Sequence, residues 1–172
     1  MKRGYVQVYT GNGKGKTTAA LGCAIRAAGA GLNVLVAQFV KGAKYNEIRA
    51  LERFSNNVTV RQYGRTCFIK RRPEQKDIDD ARRGLQDVRE CLNSGLYDVV
   101  VLDEANIALY YSLFTVRELL EIIDNRPQHC EIIITGRYAP KEILDVADLV
   151  TEMKEVKHYY SKGVNARDGI ER

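Results

Sequence analysis

The sequence predicts an α/β fold in which a mostly parallel, open sheet carries helices on both faces. Three observations support this. Residues 33–39, 98–102 and 130–135 are short runs that are apolar almost throughout, the mark of strands buried on both faces. Stretches with apolar residues at helical spacing alternate with them, as crossover connections between parallel strands require. At the start of the chain, the β-branched and aromatic run 5–9 breaks into a glycine-rich loop and then an alanine-rich helix, the strand, loop and helix of a phosphate cradle.

A chain of 172 residues is long enough for one well-buried core, and residues 1–172 are read as one domain. It has no internal repeat, no low-complexity tract and no apolar run long enough to cross a bilayer, so membrane partners are not expected. No apolar segment of a secretory signal precedes the loop, and a cytoplasmic protein is expected. Cys23, Cys67, Cys91 and Cys130 form no CxxC pair and read as reduced, mostly buried thiols. The net charge of +5, with one dense cluster at Lys70, Arg71 and Arg72, fits a solvated surface with affinity for an anionic nucleotide better than a nucleic-acid stripe. No aromatic residues for base stacking are interleaved with that cluster in a recognisable motif.

The loop itself supplies the candidate nucleotide site: Thr10, Gly11, Asn12, Gly13, Lys14, Gly15, Lys16, Thr17 and Thr18. Glycines let backbone N–H groups turn inward as an anion nest, and the helix N-terminus adds partial positive charge. Lys16 is placed to reach phosphate oxygens, and the Thr17 hydroxyl to bind Mg²⁺. The general P-loop pattern GxxxxGK[ST] asks for glycine where Thr10 stands, so only the GKT half conforms; a ligand-free turn is the alternative.

A helix over 17–28 follows, with Ala20, Leu21, Ala24, Ile25 and Ala28 at helical spacing and Gly29 and Gly31 as its stop. Strand 33–39 delivers Gln38, Lys41 and Gly42 to the rim, where ligands of open α/β sheets bind. Residues 43–56 read as a short polar helix with Ile48, Leu51 and Phe54 on one face, and 58–63 as the third strand. The irregular stretch 64–73 sets Phe68 and Ile69 beside the basic cluster; it is either a functional loop or a flap over the sheet edge.

Residues 74–93 read as the longest helix, with Pro73 and Asp77, Asp79 and Asp80 suiting its start. Strand 98–102 runs into Asp103 and Glu104, carboxylates at a strand tip that hold Mg²⁺ directly or through water beside such a loop. Residues 105–114 form a pocket wall or a core helix. Helix 115–125 starts at a capping box of Thr115 and Glu118. Strand 130–135 ends in Gly136 and Arg137, whose guanidinium is placed to pair with phosphate or with a carboxylate. A short helix over 140–147 turns Ile143, Leu144 and Val146 inward, 149–159 suits an edge strand, and 161–172 is either disordered or folded over the site.

The stretches TGNGKGKTTAA, QFVKG, VVLDE, ITGR and KHYYSKGVNARDGIE together closely resemble the ATP:corrinoid adenosyltransferases of the CobA/BtuR/CobO type, in which threonine at the position of Thr10 is normal. The resemblance spans nearly the whole chain. It implies a RecA-like P-loop NTPase fold, a homodimer, and transfer of the 5′-deoxyadenosyl group of Mg-ATP to a corrinoid reduced to Co(I), with release of tripolyphosphate. It further implies that Gly11 to Thr18 hold the phosphates, that Thr17 and Glu104 coordinate Mg²⁺ (or Mn²⁺) with Asp103 adjacent, and that a flavoprotein reductase supplies electrons. Phe68 and Ile69 are the bulk available for packing on the corrinoid, since the chain has no Trp. Lys16 and Glu104 carry catalysis by charge and orientation, and neither His129 nor His158 is needed as a base. The glycine loop and the carboxylate tip fit phosphoryl transfer or ATP hydrolysis equally well, as in small P-loop kinases and ATPases. A non-enzymatic ATP-binding module is the third reading.

Overall fold

The structure, a computed structural model, describes residues 2–43, 45–65 and 72–171. Phe68 and Ile69, with Cys67, Lys70 and Arg71, lie outside the described residues. Six strands form one sheet: β1 (Val6–Thr10), β2 (Val34–Phe39), β3 (Val58–Tyr63), β4 (Val99–Asp103), β5 (Glu131–Thr135) and β6 (Leu149–Glu152), in the order β3-β2-β4-β5-β1-β6. All pairings are parallel, so every strand presents its carboxyl end to the same rim. The helices are α1 (Lys16–Gly29), α2 (Asn46–Leu51), α3 (Gln75–Asn93), α4 (Ala105–Tyr110), α5 (Val116–Asp124) and α6 (Lys141–Val146).

Side-chain alternation sorts the core into two layers. Val34 and Val36 of β2, Val99 and Val101 of β4 and Ile133 of β5 pack with Ala20, Leu21 and Ala24 of α1 and Leu51 of α2. Leu35, Ala37 and Phe39, Val100 and Leu102, and Ile132 and Ile134 point the other way, into a larger layer with α3, α4, α5 and α6. Helices therefore cover both faces, and all six residues of β2 are buried, as its unbroken apolar run predicts. The small side chains of Ala20 and Ala24, both fully buried, let α1 lie close against the sheet. The arrangement is an α/β fold consistent with the P-loop NTPase class.

Local signals hold at the helix starts. Thr115 and Glu118 form the predicted capping box, and Glu74 with Asp77 forms another at α3. Three expectations are corrected. Phe54 is 41% exposed because α2 ends at Leu51 and passes into a 3₁₀ turn, Glu52–Phe54, whose tighter pitch rotates it off the buried face of Ile48 and Leu51. Val146 is 40% exposed: α6 has six residues, and Ile143 is the one it buries fully. The last strand stops at Glu152 rather than continuing to 159, because the chain then crosses the glycine loop, as described below. The described cysteines, Cys23, Cys91 and Cys130, are free thiols. Burial pushes Cys130 up to about 12, which keeps it protonated and unreactive. Among the described residues no helix is long and apolar enough to cross a membrane.

Candidate active site

The loop between β1 and α1 takes its shape from glycine at two left-handed positions, Gly11 (φ +93°) and Gly15 (φ +116°). It leans on the residues that follow β6. Gly13 N donates to Met153 O at 2.6 Å, and Met153 N donates to Thr10 O at 2.8 Å. A Cβ at Gly13 would stand 2.7 Å from Met153 O, so the contact tolerates no side chain. Thr10 closes β1, and its hydroxyl accepts from Ala139 N at 3.4 Å. Thr10 and Gly11 thus shape the loop from behind and Asn12 is exposed outside the cavity, whereas Gly13, Lys14, Gly15, Lys16, Thr17 and Thr18 line a cavity of about 1060 Å³.

Asp103, fully buried at the tip of β4, gathers four donors from three segments, the start of α1, the end of β2 with the residues just after it, and the end of β5. Thr17 Oγ1 and Thr135 Oγ1 donate to its Oδ1 at 2.8 and 2.7 Å. Gln38 Nε2 and Lys41 Nζ donate to its Oδ2, both at 2.9 Å. Two carboxylate oxygens offer about four acceptor sites, so Asp103 is saturated by protein. Burial works against its charge, but the Lys41 ammonium and the hydrogen bonds from Lys41, Thr135 and Thr17 outweigh it and hold its pKa below the usual carboxylate value. Burial likewise opposes the Lys41 charge, and Asp103 and Glu104 overcome it, raising its pKa.

Glu104 differs from its neighbour. It adopts a left-handed backbone, φ +58°, which costs a non-glycine residue about 1 kcal/mol. Thr135 Oγ1 steadies that turn by accepting Glu104 N at 2.9 Å while donating to Asp103. The Glu104 carboxyl faces the cavity, and no hydrogen bond reaches it from the described residues. Burial, and then the charge of Asp103, push its pKa up. Lys16, only 7% exposed, donates to Gly13 O at 2.6 Å; burial and the nearby Arg137 push its pKa down. It sits inside the rim rather than upon it. Arg137 is exposed and lines the cavity.

Both readings of 105–114 hold, on opposite faces. Ala105, Ala108, Leu113 and Phe114 are core, while Ile107, Tyr110 and Tyr111 line the cavity. The Tyr110 ring lies 4.5 Å from that of Tyr138, which follows Arg137. The tail folds over the site instead of being disordered. Lys14 Nζ donates to Glu171 Oε1 at 2.7 Å, to Ile170 O at 3.0 Å and to Tyr159 OH at 3.2 Å. Asn46 Nδ2 donates to Asp168 Oδ1 at 2.7 Å, tying the tail to α2.

Of the residues singled out in the sequence, the structure brings together Gly13 to Thr18, Glu104 and Arg137 around one cavity, with Asp103 directly beneath. Lys14 lines the cavity, but its ammonium is turned to the tail. Thr135 and Glu171 were not foreseen, although both lie in the motifs ITGR and GIE. Among the described residues no three His, Cys, Asp or Glu side chains cluster as a metal site; Thr17 and Glu104 present oxygens to the cavity beside the loop, and Glu47 also lines it.

Comparison with known proteins gives one answer. The family model for the ATP:corrinoid adenosyltransferases BtuR/CobO/CobP matches residues 2–172. The chain is 41% identical over 171 residues to the corrinoid adenosyltransferase CobA of Salmonella typhimurium, covering 99% of this chain and 86% of that protein. It is 39% identical over the same shares to the corrinoid adenosyltransferase of Escherichia coli. The identity to that of Pseudomonas aeruginosa is 36%, over 99% of this chain and 84% of that one.

Proposed function

Because the chain belongs to the BtuR/CobO/CobP family of ATP:corrinoid adenosyltransferases, we propose that residues 1–172 act as one domain that moves the 5′-deoxyadenosyl group of ATP onto the Co(I) centre of a reduced corrinoid. The cobalt contributes the electron pair, a Co–C5′ bond forms, and the C5′–O bond breaks with its electrons leaving on tripolyphosphate. No proton has to be removed, so no side chain need be activated as nucleophile or base. The observation that carries the reading is the single cavity that runs from Gly13–Thr18 past Glu104 to the aromatic wall of Tyr110 and Tyr138. It offers triphosphate donors at one end and apolar room at the other.

Lys16 is the catalytic cation in this reading. It exchanges the Gly13 carbonyl for phosphate oxygens and stabilises charge on the departing group, with loop N–H groups and Arg137 alongside. The residues present fit Mg²⁺ or Mn²⁺: the Thr17 hydroxyl and the Glu104 carboxylate, which no hydrogen bond from the described residues reaches, are hard oxygen donors at the loop. Asp103, its acceptor sites filled, stands behind them rather than among them. The cation supplies further charge neutralisation on the triphosphate when bound. Phe68 and Ile69 remain the proposed corrinoid contacts. Family likeness also supports a homodimer in the cytoplasm, served by a flavoprotein reductase.

Product analysis tests the proposal. With Mg-ATP and a Co(I) corrinoid, intact tripolyphosphate and a light-sensitive alkylcobalt product are expected. The adjacency of Asp103 and Glu104 favours ATP hydrolysis or phosphoryl transfer as the second reading. ADP and phosphate at comparable rates, without alkylated corrinoid, would establish that one instead.

A further inference from the structure

Lys41 has no part in the proposed chemistry, yet the chain is bent to place it. Val40 adopts a left-handed backbone, φ +61°, that turns the residues after β2 back over the strand ends. The Lys41 side chain is 16% exposed, and its Nζ donates to Asp103 Oδ2 at 2.9 Å and to Thr17 Oγ1 at 3.1 Å.

Those contacts settle where the Thr17 hydroxyl points. A hydroxyl has one proton and two lone pairs. The proton goes to Asp103 Oδ1, 2.8 Å away; one lone pair accepts Lys41; a single lone pair is left for the cavity. Lys41 is also the one fully charged donor among the four on Asp103. Without it, Oδ2 would regain an open acceptor site beside Thr17 and Glu104, and two neighbouring carboxylates would lose a counter-charge they share.

We propose that Lys41 is a positioning residue: it aims the free Thr17 lone pair into the cavity and keeps Asp103 from acting as a metal ligand, so that the site accepts a divalent cation carried by the nucleotide and rejects a free one. The proposal rests on the reading of Thr17 and Glu104 as the cation's protein ligands. Its chemistry is the count of charged ligands, which sets divalent-ion affinity. Lys41 withholds Asp103 from the carboxylates that face the cavity, Glu104 and Glu47 among them; its removal adds one more.

The test is Mn²⁺ binding to the nucleotide-free protein, read by loss of the aqueous Mn²⁺ electron paramagnetic resonance signal. Lys41→Met is expected to bind free Mn²⁺ at least about tenfold more tightly than wild type, and Lys41→Arg to behave as wild type. Adding Asp103→Asn to Lys41→Met should abolish the gain. Equal Mn²⁺ affinity in wild type and a folded Lys41→Met protein, or a gain that survives Asp103→Asn, overturns the proposal. If Lys41→Met does not fold, Lys41→Gln, which keeps a neutral donor, carries the same comparison. The underlying ligand reading fails separately: in wild-type background, Glu104→Gln would then leave the spectrum of the Mn-ATP complex unchanged.

Discussion

Lys16 donates to the carbonyl oxygen of Gly13, three residues back in its own loop, at 2.6 Å. The cradle is thereby closed on its own cation, which is buried and held by one neutral acceptor. Binding a triphosphate replaces that acceptor with charged oxygens, which adds charge–charge attraction to a bond already assisted by the ammonium charge.

Lys16→Met is therefore expected to lower ATP affinity by about 10–10²-fold, the scale of one lost hydrogen bond to a charged group, as isothermal titration calorimetry would record. Stability should hold, because burial already disfavours the lysine charge. A loss of less than about tenfold would mean that Lys16 does not touch phosphate.

Glu104→Gln keeps the backbone demand and the volume but removes the anion. Affinity for ATP in the presence of a chelator should stay within about threefold of wild type, and the enhancement by Mg²⁺ should disappear. The burial-raised pKa also sets a sign. The folded state retains this proton above the ordinary glutamate value, so stability falls as pH rises through the folded pKa and stays lower above it. At neutral pH the glutamine variant should melt no lower than wild type; a clear drop would show that the carboxylate is stabilising.

Asp103 has the opposite sign. Its pKa is lowered, since Lys41 and three further donors outweigh burial, so its contribution is fully present above the ordinary value of 3.8 and is lost as pH falls through the folded pKa. Asp103→Asn leaves Lys41 buried beside a neutral amide and should cost about 3–5 kcal/mol at pH 7. Urea denaturation should show the gap to wild type narrowing below the ordinary carboxylate value. A gap independent of pH would place the cost in packing rather than charge.

Gly13→Ala puts a methyl group 2.7 Å from Met153 O. Loop and crossing segment must part, at a cost of about 1–3 kcal/mol in stability, and ATP affinity should fall with it. Denaturant and nucleotide titrations on one sample would separate the two. Unchanged ATP affinity would mean that the loop's contact with Met153 does not shape the cradle.

The alternation of strand and helix is readable in the sequence because β2, β4 and β5 are buried on both faces and so carry little polar punctuation. Thr115 with Glu118 is equally plain, since both partners of the cap lie within one turn. The role of Asp103 is not readable. Its donors Thr17, Gln38 with Lys41, and Thr135 come from three separate segments, and only the parallel register that brings these rim positions together reveals that the acid is saturated while Glu104 faces the cavity. Phe54 went astray because helical spacing does not announce a change of pitch. The tail's two alternatives were decided by a pairing of Lys14 with Glu171, 157 residues apart.

That separation bears on how the protein comes into being. Among the described residues β1 pairs only with β5 and β6, and the loop it carries is shaped by Met153 and roofed by Tyr159 and Glu171. On the ribosome, β1 and its loop must wait for residues 149–171 before the cradle exists, while β2, β3 and β4 are free to assemble earlier. Nucleotide affinity is thus a late-arriving property, and ATP retained by a nascent chain would report that synthesis has reached the tail.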